Sequence, residues 1–220
     1  MVGITLTSCP HDSIDMFINM KKLHRFLIPL YPKEKLFLIE DQELVHLIKN
    51  VLKLNTGEEC IVFSNGSDDY LCRIDEISKN SISLKIKSVI PKRTIECNST
   101  ACISIVKKDN FELIVQKLTE LGVRKIIPII SGRTIKQALR IDRLQKISDE
   151  ALEQSGGCNM VIISSPETLI AILEKQKDTY QYYFDMVGTQ FKKDKTEKET
   201  TFYIGPEGGW SENDRELFKK

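Results

Sequence analysis

Residues 101–134 read ACISIVKKDNFELIVQKLTELGVRKIIPIISGRT, and the three parts of this stretch decide the fold. Residues 101–106 are an apolar-rich run with the look of a buried strand. Phe111, Ile114, Val115, Leu118 and Leu121 then recur at helical spacing. Asp109 stands where an N-cap is expected, with Glu112 three residues on, a variant of the capping box. Gly122 stands where a left-handed residue ends a helix. Residues 125–130 are a second strand. Strand, helix and strand in this order form a βαβ unit, which implies a parallel sheet.

Working outward, the alternation continues to the end of the chain. A helix is expected at about 141–154, a strand at 161–163 and a helix after Pro166. Another strand covers 180–184, followed by a charged loop at 191–199. A strand at 201–204 then runs into Gly205-Pro206-Glu207-Gly208-Gly209, and a helix capped by Ser211 follows. Upstream the texture differs. Residues 20–95 show short strands with one helix, 41–52, for which Asp41 is the N-cap. The turn signal Asn65-Gly66 follows the strand 60–63. Ile82, Leu84 and Ile86 alternate with polar residues, as in a half-buried strand. Short strands with tight turns suggest a small barrel. The chain therefore reads as an extension (1–19), a small β domain (20–95) and an α/β domain (96–220), with 91–100 as the linker. Met20 opens an ordinary start, MKKLHRFLIP, and residues 1–19 are expected to be an upstream extension or a misplaced start.

Composition narrows the function classes. The formal net charge is +1 over 220 residues, so any nucleic-acid binding must come from local basic patches. Such a patch is available. Residues 79–93 carry Lys79, Lys85, Lys87, Lys92 and Arg93 without an acid, and His46, Lys49 and Lys53 follow one another at one-turn spacing. Solubilising lysines would look the same. Six cysteines (Cys9, Cys60, Cys72, Cys97, Cys102, Cys158) form no C-x-x-C pair, which points to reduced, buried thiols in a cytoplasmic protein. The three histidines do not cluster with them, so no metal site is expected. No apolar run approaches a membrane span, and residues 1–19 make a poor signal peptide.

The glycine loop is the first chemical candidate. In a parallel sheet, ligands bind beyond the carboxyl ends of the strands. The loop is neither a Walker A loop nor G-x-G-x-x-G, which argues against phosphate cradling and against a kinase. Backbone amides against an uncharged adenine or ribose suit it better. A plain turn that uses glycine for its geometry fits as well. Ser131-Gly132-Arg133 also follows a strand end and could face the same crevice, although a salt bridge would account for Arg133. Glu150 and Gln154 share one helix face. They could buttress neighbouring loops, or belong to an ordinary amphipathic helix.

Taken together, these residues resemble the RsmE family of 16S rRNA uridine-N3 methyltransferases in the SPOUT superfamily. The matching stretches begin with His46-Leu47, Val51-Leu52-Lys53 and residues 63–66. They continue with residues 108–112, Gln116-Lys117, Glu120-Leu121-Gly122-Val123 and Pro128. They end with Glu150-Ala151, Glu153-Gln154-Ser155, residues 204–209 and Ser211. They run in order from about Met20 to the end.

The resemblance implies a PUA-like barrel that helps hold RNA, followed by a parallel-sheet domain with a trefoil knot. It implies S-adenosylmethionine as cofactor, a homodimer, and 16S rRNA of the small subunit as substrate. On these residues it implies a cofactor wall of Ser131, Ile204, Gly205, Pro206, Glu207, Gly208 and Gly209. Arg133 is the catalytic candidate, and Arg25, His46, Lys49, Lys53, Lys85 and Lys87 are RNA-binding candidates. This sequence has Gly132 where the family has Glu, and Gly157 where it has Arg. The family continues past the glycine loop and its helix with a further strand, a Leu-Arg-Thr-Glu-Thr-Ala motif and a terminal helix. The expectation is therefore a knot and pocket incomplete within residues 96–220, with weak cofactor binding. The alternative is an inactive relative that acts only as an RNA-binding module.

Overall fold

Five strands and one helix build the first unit in a computed structural model that describes residues 23–29, 32, 34–91, 98–135, 137–157, 159–187 and 199–219. Two compact units divide the chain, Met1–Lys92 and Arg93–Lys220. The expected extension, Cys9, Cys97, Cys158, Lys92, Arg93 and most of the expected charged loop lie outside the described residues.

The first unit holds β1 (Arg25–Leu27), β2 (Leu36–Ile39), α1 (Gln42–His46), β3 (Glu59–Phe63), β4 (Asp69–Ile77) and β5 (Ile82–Ile90). The sheet order is β1-β3-β4-β5-β2. β1 runs parallel to β3 and the other pairs are antiparallel. Register shifts at Leu71/Cys72 and Ile74/Glu76 are β-bulges, which bend and twist the ladder. The bent sheet closes on Phe26, Val45, Ile48, Val62, Ile74 and Leu84. Cys60 and Cys72 face each other across β3 and β4 in this core, and burial pushes both thiols up to about 12.

Asp41 caps α1 as expected, accepting from the Leu44 amide at 2.9 Å. The rest of the expected helix differs. Residues Leu47–Val51 form a π-turn. The Leu52 amide donates to the Leu47 carbonyl, and the Leu54 amide reaches back to Ile48. This wide closure places Lys53 in the left-handed region, with φ 55°. Lys53 is therefore not one turn above Lys49 on a helix.

The second unit contains β6 (Ser99–Ser104), α2 (Lys108–Glu120), β7 (Lys125–Ile130), α3 (Ile141–Ser155) and β8 (Ile162–Ile163). It continues with β9 (Glu167–Thr168), α4 (Leu169–Lys175), β10 (Tyr180–Phe184), β11 (Thr200–Ile204) and α5 (Glu212–Phe218). Every strand pair is parallel, in the order β10-β11-β6-β7-β8, with β9 also on β7. Side chains alternate across the sheet. Ala101, Ile103 and Ile126 pack under α2 and α3 with Phe111, Val115 and Leu144. Cys102, Ile127, Ile129 and Tyr203 pack on the other face with Leu169, Ile172 and Trp210. Thr119 and Ser148, buried between α2 and α3, bond to each other at 2.9 Å, and Thr119 also donates to the Val115 carbonyl.

Gly122 ends α2 as expected, with φ 79°. The N-terminus of α2 does not form the expected capping box. The helix starts two residues earlier, with Lys107 at the N-cap position, and the Lys108 amide donates to Gln137 Oε1 at 3.1 Å. A side chain from a distant loop thus satisfies one of the orphan amides. Glu112 is turned instead to Arg143, at 2.6 and 2.9 Å.

Candidate functional site

Because the sheet of the second unit is wholly parallel, the carboxyl ends of its strands lie on one edge, and two turns meet there. The first follows β7. The Ser131 amide donates to Thr134 Oγ1 at 2.8 Å, and the Thr134 amide returns to the Ser131 carbonyl at 3.2 Å. Ser131 Oγ stands 2.8 Å from Thr134 Oγ1 and 3.3 Å from Ser104 Oγ at the end of β6. Three hydroxyls therefore gather at neighbouring strand ends.

The second turn follows β11. Gly205 lies against the Trp210 indole, where an added Cβ would come within 3.1 Å of the ring. The chain reverses at Pro206, whose carbonyl accepts from the Gly209 amide at 2.8 Å. Gly209 has φ 69°, a conformation that favours glycine. Trp210 is completely buried, donates from its indole N–H to the Phe184 carbonyl at 2.9 Å, and meets the Phe218 ring edge-on at 4.9 Å. Ser211 caps α5 through a full capping box with Asp214. The glycine loop is thus anchored at its far end by a buried indole and a capped helix.

The two turns are joined. Arg133 donates from Nη1 to the Gly208 carbonyl at 2.7 Å. The Gly132 amide donates to the Asp214 carboxylate at 3.2 and 3.3 Å. At the end of β10, Asp185 accepts from Arg215 of α5 at 2.7 and 3.3 Å, and these bonds hold its carboxyl below the usual carboxylate range. Ile130 and Ile204 stay exposed at the same edge. Hydroxyls, backbone amides and two exposed isoleucines make a surface for an uncharged, partly apolar group with hydroxyls, such as a nucleoside part of a larger ligand.

The expected residues Ser131, Arg133, Ile204, Gly205, Pro206, Glu207, Gly208 and Gly209 all stand at this edge. Sequence reading missed Asp214, Trp210 and Arg215. A signal for Asp214 was present, because it stands three residues after the recognised cap Ser211. A separate cavity of about 340 Å³ lies between α2 and α3, lined by Asp109, Glu112, Gln116, Glu150 and Gln154 among others. Glu150 and Gln154 do share its wall, as their spacing predicts. It belongs to the helix layer, and the strand-end edge remains the better chemical candidate.

In the first unit, Arg25 is not a surface cation. Its guanidinium donates twice to Asp69 at 2.9 Å and lies 3.6 Å over the Phe63 ring, with 8% of the side chain exposed. An ion pair and an aromatic face already use its charge and its planar face. Lys87 is paired with Glu59. Lys49 donates to the Ser78 carbonyl at 3.3 Å. Lys49, Lys53, His46 and Lys85 are exposed. Arg73, not expected, stands opposite Lys85 on the neighbouring strand. Among the described residues no group of His, Cys, Asp and Glu could hold a metal ion, and no helix is long and apolar enough to cross a membrane.

Comparison with known proteins gives this geometry its context. A family model described as an RNA methyltransferase domain matches residues 93–220, and one described as an RNA methyltransferase PUA domain matches 39–87. A ribosomal RNA small subunit methyltransferase E from Rickettsia conorii is 29% identical over 178 residues, which cover 79% of this chain and 73% of that protein. The protein of the same name from Synechocystis is 25% identical, over 79% of this chain and 60% of its own length. A crystal structure of the Neisseria gonorrhoeae methyltransferase E bound to S-adenosyl methionine has a TM-score of 0.78. It is 24% identical, over 90% of this chain and 86% of that one, and the likeness concerns the fold. By its matched domains, its two-sheet architecture and its relatives, the chain belongs to the RNA methyltransferase family of the ribosomal RNA small subunit methyltransferase E type.

Proposed function

We propose that this protein binds S-adenosylmethionine at the joined turns of the second unit and methylates N3 of a uridine in 16S rRNA of the small subunit. The observation that carries this reading is the meeting of Ser131-Gly132-Arg133 and Gly205–Gly209 at the carboxyl edge of a parallel sheet. The residues there fit the cofactor. Neutral hydroxyls and amides suit a ribose and an adenine edge, and the exposed Ile130 and Ile204 suit the face of a purine. Ser131 and residues 204–209 would hold it.

The bound cofactor supplies an electrophilic methyl group on a sulfonium. The task left to the protein is alignment, and the rigid joining of the two turns provides a fixed wall for it. Uracil N3 carries a proton, so charge develops on the base as the proton leaves. Arg133 uses Nη1 on Gly208, and its other N–H groups have no partner among the described residues. They would stabilise that charge if the base lies against them. In the first unit, the exposed His46, Lys49, Lys53 and Lys85 would hold rRNA phosphates, the expected barrel being residues 20–95, and the reading includes a homodimer in the cytoplasm.

Calorimetric titration with S-adenosylmethionine tests the first half. Incubation with small subunits that lack the modification, followed by nucleoside mass spectrometry, tests the second. Formation of 3-methyluridine is expected. RNA binding without cofactor binding would leave the non-catalytic alternative in its place.

A further inference from the structure

We propose that Asp214 is a positioning residue that locks the turn after β7 to the glycine loop through the backbone of Gly132. This deepens the proposed function and rests on it. Asp214 has 5% of its surface exposed. Its carboxylate accepts from the Ser211 amide at 2.9 Å and the Ser211 hydroxyl at 2.7 Å, and from the Gly132 amide at 3.2 and 3.3 Å. The Ser211 amide bond is half of a capping box, whose other half is the Asp214 amide donating to Ser211 Oγ at 3.2 Å. The Gly132 bond is not part of it, because Gly132 is 82 residues away in the chain. One buried carboxylate therefore terminates α5 and, in addition, ties a second loop to it.

The approach is so close that only glycine fits. A Cβ on Gly132 would lie 2.7 Å from Ser211 Oγ, 3.1 Å from Ser211 Cβ and 3.3 Å from the Asp214 carboxylate. Gly132 and Asp214 are in this sense a matched pair. The residue on either side of Gly132 carries chemistry: Ser131 belongs to the hydroxyl cluster, and Arg133 reaches Gly208. Fixing the peptide between them fixes both. Arg133 on Gly208 is one strap across the crevice wall, and Gly132 on Asp214 is the other. With both in place, the two turns move as one body.

The test uses the full chain and four variants: Asp214→Asn, Asp214→Ala, Gly132→Ala and, as a control at the C-terminal cap of the same helix, Lys219→Ala. Hydrogen exchange is followed at residues 130–135 and 205–211, and S-adenosylmethionine affinity is measured by calorimetry. Asp214→Asn keeps an acceptor for the Ser211 cap but turns an amide group toward one of the other donors. It is expected to fold, to speed exchange in both turns together, and to weaken cofactor binding about tenfold, the scale of one lost hydrogen bond to a charged group. Gly132→Ala should do the same from the other side. Lys219→Ala should match the parent protein in both measurements.

If Asp214→Ala fails to fold, Asp214→Asn and Gly132→Ala still decide. Unchanged exchange in both turns in these two variants overturns the proposal. So does faster exchange confined to residues 205–211, because that would leave Asp214 as a helix cap and nothing more. A parent protein that binds no S-adenosylmethionine would refute the functional reading instead, and the exchange pattern would then judge Asp214 alone.

Discussion

The edge of the parallel sheet and the basic surface of the first unit are built on opposite principles. At the sheet edge, several polar groups are bonded to one another. Trp210 donates to Phe184, Asp214 collects three donors, and Arg133 and Arg215 each grip a loop. On the first unit, Lys49, Lys53, Lys85 and His46 stand exposed. On the proposed function, alignment of a reacting methyl group tolerates little error, so a wall that holds it would have to be rigid before the ligand arrives. Phosphate attraction is long-ranged and forgiving, and exposed lysines serve it well. The contrast shows where substitutions should act on structure and where only on affinity.

The largest expected effect is at the rigid edge. Trp210→Ala removes a buried indole and the bond to Phe184, and should destabilise the second unit by about 3–5 kcal/mol. Thermal or urea unfolding would measure it, and a loss under about 1 kcal/mol would mean that the edge yields where its geometry implies close packing. Next comes Arg25→Ala, which blurs the contrast, because Arg25 is a first-unit cation used in the manner of the sheet edge. Removing its buried pair with Asp69 and its stacking on Phe63 should cost about 2–4 kcal/mol. If stability is unchanged while RNA affinity falls, Arg25 belongs with the lysines after all.

Arg133→Ala should weaken S-adenosylmethionine binding about tenfold with little change in melting temperature, since its side chain is exposed. Equal affinity in the variant would remove Arg133 as a strap of the cofactor wall. Lys49→Ala with Lys85→Ala should leave folding unchanged and weaken RNA binding a few-fold at low salt. The slope of log affinity against log salt should fall by about 0.7–0.9 for each phosphate the variant no longer neutralises. A slope identical to the parent protein's would place the RNA elsewhere.

The smallest effect concerns acid. Arg215 holds the Asp185 carboxyl below its usual range. The stability this provides is present above about pH 4, the unfolded value, and is lost as pH falls through the lowered folded value. Asp185→Asn should therefore be less stable than the parent protein at pH 7, and the difference should shrink as pH falls below about 4. A difference constant across that range would show that hydrogen-bond geometry, not charge, is what Asp185 contributes.

Much of the second unit was legible from local pattern, because each element announces itself within a few residues. The helical spacing of Phe111, Val115 and Leu118 and the glycine at 122 place α2 and its end. Ser211 places the start of α5. The resemblance of the glycine loop to a known family placed the candidate crevice wall. The misreadings came where a distant group replaced a local one. Asp109 looked like a cap, but Gln137 serves the Lys108 amide from another loop. Arg25 looked like a surface cation until Asp69 and Phe63 closed over it.

The sequence alone thus determined most strands and helices of the second unit, that its sheet is parallel, and which loops leave its carboxyl edge. Those properties follow from periodicity and from single residues with special backbone freedom. Only the tertiary structure decided which loop is tied to which, for hydrogen bonds such as Gly132 to Asp214 (82 positions apart) and Arg133 to Gly208 (75 apart) join distant parts of the chain. No local pattern encodes such a bond. It exists because packing Trp210 and Phe218 against the sheet brings α5 within reach of the turn after β7.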